Sequence, residues 1–341
     1  MRTSRYRVNF LNSKNVNELA QVCFCNQELL AYLVANPKYT TFSIPKKTGG
    51  KRKISAPGFE LKIIQRRLHD MLSTIYIAPA GVHGFVAKHK SKRYTILSNA
   101  QQHLGKKWVW NLDIESFFSN IQPQMVWNRF RQKPFLFSES KATFITLLMV
   151  HQKQLPTGSP CSPVLSNWVC ESMDIQIAQY IEEQNRLYPA ANLVYTRYAD
   201  DITISSNLEI TATQKAAIYF CLNQMGFTVN AKKERVQSNL QAQWVTGIKV
   251  NEKPNLDRKY IRNIRATLHQ IRSQGLDQTI KKQFKIKTYV TQEDQQKFLS
   301  ILQGKISHLA FVKGKNNPVY QKYWKEFLEV EGRHVIDFQD N

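Results

Sequence analysis

An α+β fold is what this sequence predicts, from three observations. Apolar stripes at helical spacing recur from the first hundred residues to the last hundred; β-type runs cluster between residues 108 and 251; and Gly, Pro, Asn and Asp stand at the ends of those runs. With 42% hydrophobic residues, including 18 Phe and 14 Tyr, the 341-residue chain has ample material for a core. No internal repeat or low-complexity block complicates the reading.

The first element is a hairpin in Ile44-Pro-Lys-Lys-Thr-Gly-Gly-Lys-Arg-Lys-Ile54, with Gly49 and Gly50 as turn residues, presenting Lys46, Lys47, Lys51, Arg52 and Lys53 on one basic arm. After Pro57, Leu61, Ile64, Leu68, Met71 and Ile75 recur at spacings of three and four, predicting a helix with one buried face and one basic face. Residues 108–114 read as a buried strand whose polar member, Asp113, stands at its end, where a following loop exposes it. Residues 140–151 carry another helical pattern. It is ended by Leu155-Pro-Thr-Gly-Ser-Pro-Cys-Ser-Pro163, whose prolines and glycine predict a shaped loop before the next helix. Residues 193–198 and 202–205 are β-type runs flanking Ala199-Asp200-Asp201, a hairpin tip. A helix over 213–225 ends at Gly226 as C-cap, followed by a strand over 227–230 and a hairpin over 244–251. Beyond Pro254 the texture changes. Ile261, Ile264, Leu268 and Ile271 form a helix stripe whose other faces carry Arg258, Lys259, Arg262, Arg265 and Arg272, placing a domain boundary near Lys253.

Lys and Arg number 48 against 25 acidic residues, so a net charge of +23 calls for a polyanionic partner, nucleic acid first. Arg2, Arg5 and Arg7 are followed by mixed polar sequence, unlike a signal peptide, and no run reaches the roughly 18 apolar residues of a membrane helix. A soluble intracellular protein with no membrane partner is expected. The five cysteines lack paired C-x-x-C spacing, which argues against a disulfide framework or a structural zinc and for reduced thiols.

Adjacent aspartates at a hairpin tip repel one another and raise each other's pKa unless a cation neutralises them. With Asp113 added from a neighbouring strand end, Asp200 and Asp201 make three hard oxygen donors suited to Mg²⁺ held partly through substrate phosphates. Two such ions, about 4 Å apart, would serve an in-line displacement.

Five segments in order, Asp113-Ile-Glu-Ser-Phe-Phe118, Leu155-Pro-Thr-Gly-Ser-Pro-Cys-Ser-Pro163, Tyr198-Ala-Asp-Asp201, Gly226-Phe-Thr-Val-Asn-Ala-Lys-Lys233 and Trp244-Val-Thr-Gly247, resemble the palm motifs of reverse transcriptases. Within that family Val82-His-Gly-Phe85, Asn99-Ala-Gln-Gln-His103 and Val245-Thr-Gly247 are similar to elements of the bacterial retron enzymes, although His103 alone fits a satisfied helix histidine and Thr246-Gly247 a simple turn. The resemblance spans about residues 41–251 and implies a right-hand polymerase fold with fingers, a ferredoxin-like palm and a helical thumb. Residues 1–104 would be the N-terminal region and fingers, 105–124 the first part of the palm, 125–154 the second part of the fingers, 155–252 the second part of the palm, and 253–341 an RNA-binding thumb.

By this resemblance Asp113, Asp200 and Asp201 are the catalytic residues and, with the Ile114 carbonyl, ligands of two Mg²⁺ ions. Phe118 matches a steric gate whose bulk excludes a ribonucleotide 2′-OH. Arg52 resembles the fingers arginine on the incoming deoxynucleoside triphosphate, with Lys47, or Lys46 beside it, near the γ-phosphate. Lys233 matches a lysine near the triphosphate or the carboxylates, with Lys232 as the neighbouring alternative. Trp244, Thr246 and Gly247 match the primer grip. Thr157 stands where many relatives carry Gln; its shorter side chain cannot span the same gap to nucleotide and template. Arg258, Lys259, Arg262 and Arg265 would lie along a nucleic-acid backbone.

Retron enzymes are expected to bind a cognate structured noncoding RNA and to copy part of it into branched multicopy single-stranded DNA primed from a guanosine 2′-OH. They do so in the bacterial cytoplasm, alongside a separate effector or toxin protein in antiphage defence. A group II intron-like enzyme is the near alternative, against which stand the roughly 90 residues after Asn251, too few for a maturase region and an endonuclease. A noncatalytic RNA-binding scaffold with a relic palm is the distant one, against which stand the intact aspartates.

Overall fold

After a helical segment at residues 8–12 come helices α1 (Val16–Val22) and α2 (Gln27–Ala35) in this computed structural model, which describes residues 8–46, 49–88 and 92–332. Each starts at an asparagine, Asn15 or Asn26, whose side chain accepts an orphan backbone N–H of the first turn. The basic hairpin follows as β1 (Tyr39–Pro45) and β2 (Lys51–Pro57), antiparallel and longer than its basic core suggested. Lys47 lies outside the described residues. Helix α3 (Phe59–Ile75) buries the expected stripe, with Leu61, Ile64, Leu68, Met71 and Ile75 all in the core. The short α4 (Ile96–Gln101) has a reciprocal capping box between Thr95 and Ser98.

Four strands, β3 (Trp108–Asp113), β4 (Val194–Tyr198), β5 (Asp201–Ser206) and β6 (Arg235–Ser238), form one antiparallel sheet in the order β4-β5-β3-β6. Between β3 and β4 run α5 (Phe117–Asn120), α6 (Pro123–Arg131), α7 (Glu139–Met149) and the long α8 (Ser162–Leu187). Helix α9 (Ala212–Gln224) connects β5 to β6. With α8 and α9 as crossovers, the sheet has the split β-α-β connectivity of a ferredoxin-like domain.

Strand alternation sorts the two faces of this sheet. Trp110, Leu112, Ile202 and Ile204 are buried in one core with Met173 and Ile177 of α8 and Ile218 and Leu222 of α9. The opposite face is polar: Asn111 and Asp113 from β3, Asp201, Thr203 and Ser205 from β5, and Thr196 from β4 share it. A one-residue slip would exchange the faces, so burial of the Trp110 face fixes the register that sets Asp113 opposite Asp201.

Three expectations are corrected. Residues 227–230 do not form a strand. Only Val229 bridges to Ile114, and the sheet's outer strand is β6, whose Arg235-Val-Gln-Ser238 offers a single apolar residue to read. The proline-rich segment 155–163 does not exclude helix throughout, because α8 starts at Ser162 with Pro163 in its first turn, where a missing N–H is harmless. At the hairpin tip only Ala199 and Asp200 turn; Asp201 is already the first residue of β5, paired with Tyr198.

After β7 (Trp244–Val245) and β8 (Ile248–Lys249) come α10 (Arg258–Gln274), α11 (Leu276–Phe284), α12 (Gln292–Lys313) and α13 (Pro318–Val330). Their apolar faces meet Val245, Ile248, Val250, Ala100 and Val109 in a second core. All five cysteines are free thiols, Cys23, Cys161 and Cys170 buried, as expected. No helix of the described residues is long and apolar enough to cross a membrane.

Candidate active site

Asp113 and Asp201 are direct cross-strand partners, so their carboxylates leave the same face of the sheet side by side. Asp200 joins them through the two-residue turn, its carbonyl accepting the Ile114 N–H at 3.0 Å. The turn is tight because Ala199 adopts a left-handed φ of 59°, a conformation that favours glycine. Two contacts hold it there. Arg197 donates to the Ala199 carbonyl at 3.1 Å, and Gly84 lies so close that a Cβ on it would stand 2.3 Å from the Ala199 nitrogen.

Arg197 is itself wholly buried, forked onto Asp174 of α8 at 2.7 and 2.6 Å, while Tyr195 donates to the same carboxylate at 2.7 Å. The segment around Val82 extends the sheet beyond β4: His83 N–H donates to the Arg197 carbonyl at 2.9 Å and Arg197 N–H to the Gly81 carbonyl at 2.8 Å. On the polar face His103, buried just after α4, bridges β5 and β4 through Ser205 and Thr196, each at 2.7 Å. Burial is the main reason its pKa falls to about 3, so it is a neutral structural pin. Sequence reasoning missed Asp174 and Arg197. The available signal was a charge on a buried phase, Asp174 among Cys170, Met173 and Ile177, and Arg197 two residues after buried Tyr195.

Lys233 Nζ lies 2.7 Å from Asp113 Oδ1, which favours Lys233 over Lys232 as the lysine that meets the carboxylates, and that bond holds its pKa up. Asp201 keeps an edge open to solvent, yet the cleft walls strip enough water from its carboxyl to push the pKa up to about 6, with Asp200 and Asp113 adding repulsion. Burial likewise raises Asp200, opposed by a hydrogen bond from its own backbone, with Asp113 adding repulsion and Lys233 and Arg52 lowering it. Arg52, exposed on β2, is near enough to Asp200 to oppose that rise.

These are hard oxygen donors whose mutual repulsion a cation would relieve, the donor chemistry Mg²⁺ requires. Among the described residues no group of three His, Cys, Asp or Glu side chains is by itself assembled as a complete metal site. Asp113 is engaged by the Lys233 ammonium instead, so the protein offers a partial ligand set. The Ile114 carbonyl is left out of the pairing with residues 228–230, which uses the carbonyls of Asp113 and Thr228.

A cleft of about 530 Å³ runs from Asp113 and Asp201 past Lys233 and Arg235 to Thr246 and Gly247. Thr246 and Gly247, with φ of 47° and 80°, make the turn between β7 and β8, and Thr246 Oγ1 donates to the Ile96 carbonyl at 3.1 Å. Trp244 is half-buried and tied by its N–H to Gln237 at 2.9 Å. Phe118, half-buried on α5, contacts Phe117 and Phe85, with centroids 5.4 and 6.0 Å away. The loop bearing Thr157 is seated on the basic hairpin, since a Cβ at Gly158 would come 2.7 Å from the Ser55 carbonyl. Arg258, Lys259, Arg262 and Arg265 are all exposed on α10, away from the carboxylate cluster in sequence and on another element.

The chain belongs to the reverse transcriptase (RNA-dependent DNA polymerase) family, whose model matches residues 44–302, and its fold is the right-hand polymerase fold. It is similar to the retron Ec86 reverse transcriptase of Escherichia coli, 28% identical over 264 residues that cover 75% of this chain and 78% of that one. The retron Mx65 reverse transcriptase of Myxococcus xanthus is 32% identical over 257 residues, covering 68% of this chain and 56% of the relative, little more than half its length. Among solved structures, telomerase from Candida albicans in complex with a fragment of telomeric RNA covers 87% of this chain and 61% of that one, at 10% identity and a TM-score of 0.45.

Proposed function

We propose that this RNA-directed DNA polymerase is a retron enzyme that copies part of a cognate structured noncoding RNA into branched single-stranded DNA, primed from a guanosine 2′-OH. The observation that carries its chemistry is the register: Asp113 opposite Asp201, with Asp200 in the adjoining turn and the pKa of Asp200 and Asp201 both raised. Two Mg²⁺ ions, when bound, supply activation of the attacking hydroxyl and stabilisation of the departing pyrophosphate. In this reading Asp113, Asp200, Asp201 and the Ile114 carbonyl hold them, and phosphate oxygens of the deoxynucleoside triphosphate complete the partial ligand set.

Arg52, Lys47 and Lys233 orient the triphosphate, Phe118 excludes the 2′-OH, and Thr157 borders the nucleotide. Trp244, Thr246 and Gly247 seat the primer end, Thr246 and Gly247 lining the cleft that also takes in Asp113. Residues 1–104 and 125–154 act as fingers, 105–124 and 155–252 as palm, and 253–341 as a thumb that grips RNA through Arg258, Lys259, Arg262 and Arg265. Retron kinship supports a bacterial cytoplasmic setting and a separate effector protein in antiphage defence.

The test is Mg²⁺-dependent DNA synthesis by the protein purified with its RNA. Asp200→Asn abolishes the product while RNA binding persists; synthesis at the wild-type rate by that variant overturns the assignment.

A further inference from the structure

Phe85 is an anomaly for its residue type. Its backbone is left-handed, φ 58°, a conformation that bulky side chains avoid, and 37% of the residue is exposed. Neither core burial nor turn chemistry explains an aromatic ring there. Its position follows from Gly84, whose Cα is pressed on the main chain of Tyr198 and Ala199 and whose carbonyl accepts Asn167 Nδ2 at 2.8 Å. The chain must therefore leave the aspartate turn at a fixed point, and the left-handed step at Phe85 sends the ring toward Phe118.

Four rings make a continuous series. Phe227 and Phe117 are buried, with centroids 5.7 Å apart; Phe117 lies 5.4 Å from Phe118; and Phe85 stands 6.0 Å beyond Phe118 at 32°. Phe118 thus has buried Phe117 as one ring neighbour and the more exposed Phe85 as another, its outer bracket.

We propose that Phe85 is a positioning residue for sugar discrimination: it confines the Phe118 ring to the orientation that meets a ribonucleotide 2′-OH. This rests on the reading of Phe118 as the steric gate. Removing the outer bracket leaves Phe118 free to turn toward solvent, and the gate slackens without losing its ring. Backbone strain at Phe85 is then the means by which an exposed aromatic is aimed at its neighbour.

The experiment compares kcat/KM for dNTP and rNTP on a DNA-primed RNA template in wild type, Phe85→Ala, Phe85→Tyr, Phe118→Ala and the Phe85→Ala, Phe118→Ala pair. Phe85→Ala is expected to reduce the preference for deoxynucleotides about 10-fold, mostly through a lower KM for ribonucleotides, with Phe85→Tyr restoring it to within about 2-fold. A residue acting through the gate adds less than about 2-fold once Phe118 is alanine. Relaxed discrimination in Phe118→Ala but wild-type discrimination in Phe85→Ala overturns this inference alone. Wild-type discrimination in Phe118→Ala removes the gate, and the inference with it. Equal losses of dNTP and rNTP use in Phe85→Ala show ordinary packing and also overturn it.

Discussion

Arg197 and Asp174 meet at 2.6 Å with neither side chain exposed, and the same guanidinium reaches the Ala199 carbonyl at the turn between β4 and β5. Burying both charges is repaid only where the geometry is complete, which a fork onto both carboxylate oxygens plus the Tyr195 hydroxyl provides. Asp174→Asn is expected to cost about 3–5 kcal/mol by leaving a buried, unpaired guanidinium, measured by urea unfolding. Wild-type stability in that variant would remove the pair as the anchor of the turn.

Gly84→Ala should act on the same turn from the other side. The new Cβ would meet backbone, not a yielding side chain, so the Ala199 turn must shift. A displacement near 1 Å at a reacting centre costs roughly 100-fold in rate, which DNA synthesis assays would detect. Gly226→Ala is the control: with φ 73° and no atom within 4 Å of its Cβ, it should cost about 1 kcal/mol of stability and little activity.

His103 predicts a pH dependence. Burial lowers its folded-state pKa from 6.5 to about 3, so between those values the unfolded chain binds the extra proton. Stability from this residue is therefore complete above pH 6.5 and is lost as pH falls toward 3, with a slope of up to about 1.4 kcal/mol per pH unit. Denaturant midpoints measured from pH 7 to 4 should fall less steeply in His103→Gln than in wild type.

The exposed cations of α10 predict a salt dependence. If Arg262 and Arg265 each neutralise a phosphate, alanine at both should weaken RNA binding and reduce the slope of log K against log salt by about 2. Filter binding across a salt series reads both quantities, and an unaltered slope excludes these two arginines from the interface.

Much of the carboxylate site was legible because its elements advertise themselves. Asp113 closes an otherwise apolar run, and the aspartate pair interrupts two β-type runs with turn residues. The register that brings them together is a long-range fact, set by burial of Trp110 and Leu112 against helices far along the chain. The edge strand β6 was illegible because Arg235-Val-Gln-Ser238 has neither an apolar run nor alternation, while Phe227-Thr-Val-Asn230 has β-type residues and yet only one bridge. The Lys233 contact with Asp113 left Lys232 open in the sequence, since two adjacent lysines differ only in which way the loop after Asn230 turns them. Two polar partners of the turn, Asp174 and Arg197, are separated by most of a helix and a strand, and only the fold makes them a pair.

The seam at Gly81, Val82 and Gly84 means that the sheet bearing the aspartates borrows its outermost edge from chain that precedes β3. A chimaera spliced just before Trp108, however tidy it looks on paper, would exchange that edge for a foreign one and leave Arg197 without its main-chain neighbours. Recombination between relatives should keep residues 81–85 with the sheet they border.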